Sequence, residues 1–250
     1  MEKRFLYHAL STGLAGRITL PFDDLIEVKG ASALPQTGGY SSSRVENFDY
    51  RHMITFRAAS TIATGSFDRE GKAHNTLVTA TIEQLNILDQ VTADLVVARL
   101  TSKHPESGGQ PSIIPLGSAF VNLRVAGCLV EVHLDSDTFY ELDTYDKFST
   151  RLKADEAFRQ GVLRGQEKLP LPPPHGPVLC SLAREVRPHC RELKPEGNAI
   201  HVPHFGVIYL AEFLIEPYAR SLTMVRVNLG CAVEGHVTAC SVSGNGEGYP

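Results

Sequence analysis

The segment from Asp135 to Asp146, DSDTFYELDTYD, places five carboxylates within twelve residues. Ca²⁺ takes about six to eight oxygen ligands, and carboxylates are its usual source. The spacing is not that of an EF-hand, because the central glycine and the glutamate at the twelfth position are missing. The segment is therefore either a calcium loop or a solvated acidic loop that leads into a helix. Its candidate ligands are Asp135, Asp137, Glu141 and Asp143, and calcium is the one cofactor that this sequence suggests.

The same acids suggest an alternative chemistry, because glycoside cleavage uses two carboxylates about 5–10 Å apart. The sequence does not supply that separation. The alternative function is accordingly a calcium-dependent ligand-binding or glycan-acting β domain that uses residues 135–146.

His201 and His204 form a second candidate metal pair, to which His189 and Cys190 could add ligands. Residues three apart on a strand point to opposite faces, and Pro203 argues against a helix there. Zinc sites favour tighter ligand pairs than this one.

The motifs of common enzyme classes are missing from the chain. It contains no G-x-S-x-G nucleophile turn, no phosphate-binding G-x-x-x-x-G-K-[ST] and no dinucleotide-binding G-x-G-x-x-G. The glycine-rich stretch at 244–248 precedes no helix. We therefore predict a non-enzymatic protein.

Strict alternation of apolar and polar residues predicts the elements that position these side chains. Between Leu129 and Asp135, for example, Val130, Val132 and Leu134 point one way and the polar residues point the other. Glycine-rich turn signals separate these runs. We predict an all-β fold, an antiparallel sandwich or roll of many short strands. The alternative is a β-solenoid, because the Thr-Ala repeat at 79–82 and 91–94 is either two solenoid rungs or a hairpin that turns near Asp89-Gln90. Further alternating positions are Val78, Ala80 and Ile82; Val91, Ala93, Leu95 and Val97; Ala119, Val121, Leu123 and Val125; and Val225, Val227 and Leu229. The run from Val207 to Ile215, apolar except at Glu212, predicts a strand covered on both faces.

One segment departs from this pattern. Residues 146–164 predict a single helix with an apolar face, and residues 169–177 form a proline-rich spacer. We interpret 146–177 as a helix and spacer inserted into a single β domain that covers 1–250.

Net charge and the length of the apolar runs limit the range of partners. The net charge of −4 provides no broad basic field for nucleic acid. The absence of any run of about 18 apolar residues predicts no integral membrane segment. The basic and briefly apolar N-terminus resembles no convincing signal peptide, which predicts a cytoplasmic protein.

Five cysteines occur without a C-x-x-C pair: Cys128, Cys180, Cys190, Cys231 and Cys240. An exported chain could bridge Cys180 with Cys190 and Cys231 with Cys240. We favour the alternative, in which most are small buried apolar residues.

Three ordered segments carry a family resemblance: ATIEQLNILDQVTAD at 80–94, GSAFVNLRVAG at 117–127 and IHVPHFGVIYLAE at 200–212. In order and wording they resemble the choice-of-anchor P proteins, β-rich surface proteins of Gram-positive bacteria. The resemblance spans about 75–242 and transfers no catalytic residue. It implies an extracellular module with a display, adhesive or structural role, whereas this chain lacks a convincing signal and a C-terminal anchor. We therefore predict a structural or interaction protein whose partner is a second copy of itself, in an oligomer or filament, or another protein.

Overall fold

A computed structural model describes residues 4–163 and 176–249. The alternating segments form strands, as the period of two requires. In chain order the strands are β1 (Arg4–Tyr7), β2 (Leu10–Leu20), β3 (Asp24–Ala33), β4 (Gly39–Tyr50), β5 (Ile54–Asp68), β6 (Ala73–Ile87), β7 (Val91–Pro105), β8 (Ser112–Ile114), β9 (Ala119–Val121), β10 (Arg124–Val125), β11 (Cys128–Leu134), β12 (Val178–Ser181), β13 (Ala183–Pro188), β14 (Pro195–Glu196), β15 (Ala199–Val202), β16 (Gly206–Ile215), β17 (Ala219–Cys231) and β18 (Val233–Tyr249). The helices, all between β11 and β12, are α1 (Ser136–Glu141), α2 (Tyr145–Ala154) and α3 (Glu156–Val162).

The strands form two antiparallel sheets that pack face to face. Sheet I has the order β14-β15-β16-β17-β18-β2-β3, with β1 also on β18 and β12 also on β16. Sheet II has the order β13-β11-β10-β7-β6-β5-β4, with β8 and β9 also on β7. The buried residues of both sheets belong to one apolar core. The predicted antiparallel all-β architecture is thus confirmed, although several strands run to 15 residues or more.

Tight hairpins connect the long strands of sheet II. The turn between β6 and β7 uses Leu88 and Asp89, both with φ near +50°, and closes with a 3.0 Å hydrogen bond from the Gln90 N–H to the Ile87 carbonyl. Two positive φ values at the centre of a tight turn match the twist of antiparallel strands. The Thr-Ala segments are therefore paired strands of a hairpin, and the solenoid alternative is not observed.

A row of residues crosses each sheet at which the regular alternation of buried and exposed side chains is interrupted. Beyond this row, the other set of alternate residues faces the core. In sheet I, two consecutive residues are buried at the same level of four neighbouring strands: Gly13 and Leu14, Leu210 and Ala211, Met224 and Val225, and Ala239 and Cys240. Ala211 and Cys240 have φ of +52°, a left-handed conformation that turns the next side chain to the other face. We call this row the phase shift of sheet I.

Sheet II carries a matching phase shift. Ala58 and Ala59 are both buried in β5, and Gln84 in β6 has φ of +52°. Small residues let the two rows approach each other closely: a Cβ atom added to Gly13 would lie 3.0 Å from the Ala59 Cβ, and the Cys240 thiol donates to the Val96 carbonyl at 3.3 Å.

Three side chains that the alternation places on the buried face, those of Leu95, Val97 and Val121, are not buried in the structure. Val91 and Ala93 are buried as expected, but Leu95 and Val97 are not, because Val96 and Ala98 replace them beyond the shift. Val121 is 41% exposed.

β16 is likewise not covered on both faces. The buried face of the strand changes at Leu210-Ala211. Glu212 points outward and is buried by a bidentate ion pair with Arg226, whose Nε and Nη2 donate to its carboxylate at 2.6 and 2.7 Å.

The predicted single helix over 146–164 is two helices, α2 and α3, and the short helix α1 precedes them. Asp155 has an extended backbone with φ of −120° and ends α2, and its carboxylate accepts a 2.9 Å hydrogen bond from the Phe158 N–H at the start of α3. Such an N-cap begins a new helix and breaks the predicted continuous one. Most of the proline-rich spacer at 169–177 lies outside the described residues, so the insertion over 146–177 and the single domain over 1–250 stay predictions. Among the described helices, none has the length and apolar character needed to span a bilayer.

Candidate functional site

The four carboxylates predicted to bind calcium do not lie together in the structure. Asp135 and Asp137 lie at the start of α1, where the Asp135 N–H donates to the Leu182 carbonyl at 2.9 Å. Glu141 and Asp143 lie at the opposite end of this helix, which is anchored by the fully buried Phe139. The four predicted calcium ligands therefore occupy two places in the fold.

Glu141 and Asp143 line a half-open cleft of about 530 Å³, where the α1–α2 junction meets β7 and β8. This volume lies within the usual range for small-molecule sites. The other side chains important for its chemistry are Asn75, Lys103, Tyr140 and Lys147. We call it the junction cleft. Asp135 lines a second, smaller depression of about 390 Å³ beside Arg151 and Asp155.

Asp143 is already engaged by a cation. The Lys147 ammonium donates to its carboxylate at 2.8 Å. Burial alone would raise the pKa of Asp143, but hydrogen bonds from Lys147 and Ser112, with the charges of Lys147 and Arg220, hold that pKa below its usual value. Asp143 is therefore an ionised, partnered carboxylate at neutral pH.

Arg220 lies behind the wall of the junction cleft and is only 1% exposed. Its Nη2 donates to the Leu142 carbonyl at 2.6 Å, while Nη1 has no hydrogen-bond partner among the described residues. Burial lowers the pKa of Arg220 to about 10, which leaves it charged at neutral pH, with Asp143 as the nearby carboxylate. The composition does not reveal this buried cation, because arginine is usually a surface residue.

The predicted metal ligands do not converge. Within residues 4–163 and 176–249, no group of three or more His, Cys, Asp or Glu side chains is arranged to hold a metal ion. His201 lies exposed in β15, with its Nε2 3.8 Å from the Glu196 carboxylate, and His204 occupies the following turn with φ of +58°. The calcium site stays a prediction.

The cysteines form neither of the two bridges considered for an exported chain. Cys128, at the start of β11, forms a disulfide with Cys190, with 6.0 Å between their Cα atoms. Cys180 and Cys240 are free and buried, which excludes the Cys180–Cys190 and Cys231–Cys240 bridges. Burial raises the pKa of the Cys180 thiol to about 12, which makes it an inert core residue, as expected for a small apolar side chain.

Buried His104 and half-buried His74 form a pair that no local sequence pattern indicates. His74 and His104 are directly opposite on β6 and β7; the Phe5 ring stacks on His74 at 4.1 Å, and the Tyr7 hydroxyl is hydrogen-bonded to His74 Nδ1 at 3.0 Å. Burial and then the neighbouring His74 lower the pKa of His104 to about 4.

His104 Nε2 is also hydrogen-bonded to the Ser102 hydroxyl at 3.0 Å. Ser102 is 2% exposed and its hydroxyl also contacts Thr76, so the hydroxyl is engaged by two side chains.

The edge strand β4 is the second notable feature. None of its twelve residues is buried, whereas the neighbouring strand β5 buries a residue at almost every second position. Its inward side chains Val45, Phe48 and Tyr50 are only half-buried, because within the described chain β4 pairs with β5 alone.

The comparisons with known proteins identify a family without a known activity. A family described as a domain of unknown function, DUF8256, matches residues 5–169 and 144–216. No curated protein and no solved structure matches the chain. Because the family match extends over well more than half of the sequence, the chain belongs to the DUF8256 family.

Proposed function

We propose that this chain is a non-enzymatic structural or interaction protein, a β-rich module that associates with copies of itself or is displayed on a surface. The observation that carries the proposal is the uncovered edge strand β4. An edge with free N–H and C=O groups pairs readily with another strand. Such a strand would also cover the half-exposed Val45 and Phe48.

The neighbouring edge of sheet I strengthens the case. In the described residues β3 pairs only with β2, and it approaches β4 through side chains: Tyr50 donates to Asp24 at 3.0 Å, and the Lys29 ammonium lies 5.8 Å from the centre of the Phe48 ring. On β3, Leu25 is 73% exposed. Two unpaired edges with apolar side chains beside them suit a second β chain better than a small molecule.

Two further observations support surface display. Disulfides such as Cys128–Cys190 persist in oxidising compartments. The sequence also resembles the choice-of-anchor P surface proteins in three ordered segments.

Sedimentation velocity of the pure protein, from about 1 to 100 µM, tests self-association at this edge. We expect Ser43→Lys to weaken association, because an inward-pointing lysine on an edge strand blocks pairing. Ser42→Lys is the matched control, since Ser42 is the adjacent residue on the exposed face of β4. A monomer at every concentration, or equal association of the two variants, would contradict self-association through β4.

Small-ligand binding is the second candidate function, favoured by the junction cleft. The calcium-dependent form of this idea requires Asp135 and Asp137, which do not line that cleft.

A further inference from the structure

The charges that line the junction cleft are balanced. Its walls contain the ammonium groups of Lys103 and Lys147 and the carboxylates of Glu141 and Asp143. Lys147 donates to Asp143 at 2.8 Å. The Asp68 carboxylate lies within about 6 Å of the Lys103 ammonium, close enough for the two charges to attract each other. A charged ligand would meet a like charge as well as an opposite one, so the cleft favours a neutral molecule.

The α1–α2 junction holds one wall of this cleft in place. The fully buried Phe139 anchors α1 in the core. The enclosed Arg220 donates to the Leu142 carbonyl at 2.6 Å, which fixes the chain between the two acids. The Ile113 N–H donates to the Asp143 carbonyl at 2.9 Å and ties the junction to β8. Because the wall is positioned before a ligand arrives, less conformational entropy is lost on binding.

The same walls offer hydrogen-bond donors and acceptors together. The Asn75 amide donates and accepts, and no side-chain hydrogen bond engages it within residues 4–163 and 176–249. An ammonium has three donors and a carboxylate about four acceptor sites, so Lys147 and Asp143 both keep free capacity after bonding to each other. Two neighbouring hydroxyl groups can accept from the ammonium and donate to the carboxylate. Such charge-assisted bonds are about twice as strong as neutral ones.

Tyr140 adds an exposed aromatic ring to this polar site. The ring lines the cleft and is 62% exposed. A pyranose sugar carries C–H groups on one face, which pack on an aromatic ring, and hydroxyl groups around its edge.

We propose that the junction cleft binds a neutral saccharide, with a sugar ring on Tyr140 and its hydroxyl groups on Asn75 and on the Lys147–Asp143 pair. This inference rests on the second candidate function, ligand binding at the cleft, and names the class of ligand. The cleft volume of about 530 Å³ is large enough for such a molecule.

Titration of the full chain with the methyl glycosides of glucose, galactose and mannose, followed by amide chemical shifts, tests the proposal. The uronate and the amino sugar of the tightest-binding sugar serve as the negative and positive probes. We expect a neutral glycoside to bind more tightly than either charged probe and to shift amide signals around Lys103 and Tyr140. Its affinity should not change between about 0.05 and 0.5 M salt, because salt screens interactions between charges.

Two tyrosine variants locate the site. Tyr140→Ala should weaken binding about three- to tenfold, the range expected for one ring contact, whereas Tyr140→Phe keeps the ring and should bind within about twofold of wild type. Tyr218→Ala is the matched control, since Tyr218 is a 58% exposed tyrosine between β16 and β17 that does not line the cleft. It should leave the affinity unchanged.

The outcomes separate the saccharide assignment from ligand binding itself. Equal or tighter binding of a charged probe, a steep loss of affinity with salt, or equal weakening by Tyr140→Ala and Tyr218→Ala would overturn the neutral saccharide while keeping a ligand-binding cleft. No binding of any probe at about 50 mM, or amide shifts confined to other parts of the chain, would overturn both. Repeating the titration with Ser43→Lys keeps the result independent of association through β4.

Discussion

Lowering the pH from 7 to 4 is expected to destabilise the fold through His104, which is only 6% exposed between the two sheets. The pKa of this histidine falls from 6.5 to about 4, first because burial disfavours the charged ring and second because His74 lies beside it. The folded state therefore resists a proton that the unfolded chain accepts. Stability contributed by the neutral ring is complete above pH 6.5 and is lost progressively as the pH falls toward 4.

The size of the effect follows from the two pKa values. The difference between 6.5 and about 4 corresponds to about 3 kcal/mol of unfolding free energy, at about 1.4 kcal/mol for each pKa unit. His74, whose pKa is also lowered by burial, acts in the same direction. About 3 kcal/mol is a large share of a domain's total stability of about 5–15 kcal/mol.

Urea unfolding followed by circular dichroism, at intervals from pH 7.5 to 4, measures this loss. His104→Gln keeps a polar atom near Ser102 but has no ring to protonate, so its unfolding free energy should depend less steeply on pH between 6.5 and 4. His201→Gln, at an exposed histidine of β15, is the control and should retain the wild-type slope. Equal slopes for wild type and His104→Gln would refute the assignment of the acid sensitivity to this buried ring.

Three further outcomes are expected. Removing the disulfide by Cys128→Ser with Cys190→Ser should lower the urea midpoint by an amount equivalent to about 2–4 kcal/mol, because the bridge closes a loop spanning 62 residues; an unchanged midpoint would contradict this. Gly13→Ala should cost about 1–3 kcal/mol of unfolding free energy, measured by thermal melts, since its Cβ would lie 2.6 Å from a backbone carbonyl. The control Gly161→Ala, with open space in α3, should stabilise by up to about 1 kcal/mol. Equal effects of the two substitutions would argue against close approach at the phase shift. Calcium should leave the melting temperature unchanged relative to EDTA, because the acids at 135–143 are divided between two places; a rise abolished by alanine at those acids would instead establish the predicted calcium site.

Much of the architecture could be predicted from local pattern. The alternation at Val130, Val132 and Leu134 predicts the strand β11, and the turn signal near Asp89 correctly allows a hairpin. The sequence predicts the helical segment but not its break, because the capping role of Asp155 depends on where the chain turns.

The candidate site could be predicted only in part. The acidic segment directed attention to Glu141 and Asp143, which do line the junction cleft. Their partner across the fold, Arg220, could not be found, because it is 78 residues from Leu142 and no local pattern links the two. Separation along the chain likewise hides the pairing of His74 with His104 and of Cys128 with Cys190.

By itself the sequence determined that this chain forms amphipathic strands, because a period of two leaves no other way to bury one face of each segment. Only the tertiary structure decided which face is buried at each level, since the phase shifts at Gly13, Ala59 and Cys240 occur at the same level of neighbouring strands, where the two sheets approach each other closely. A left-handed residue such as Ala211 is unfavourable alone, and it is held because the strands beside it invert at the same level.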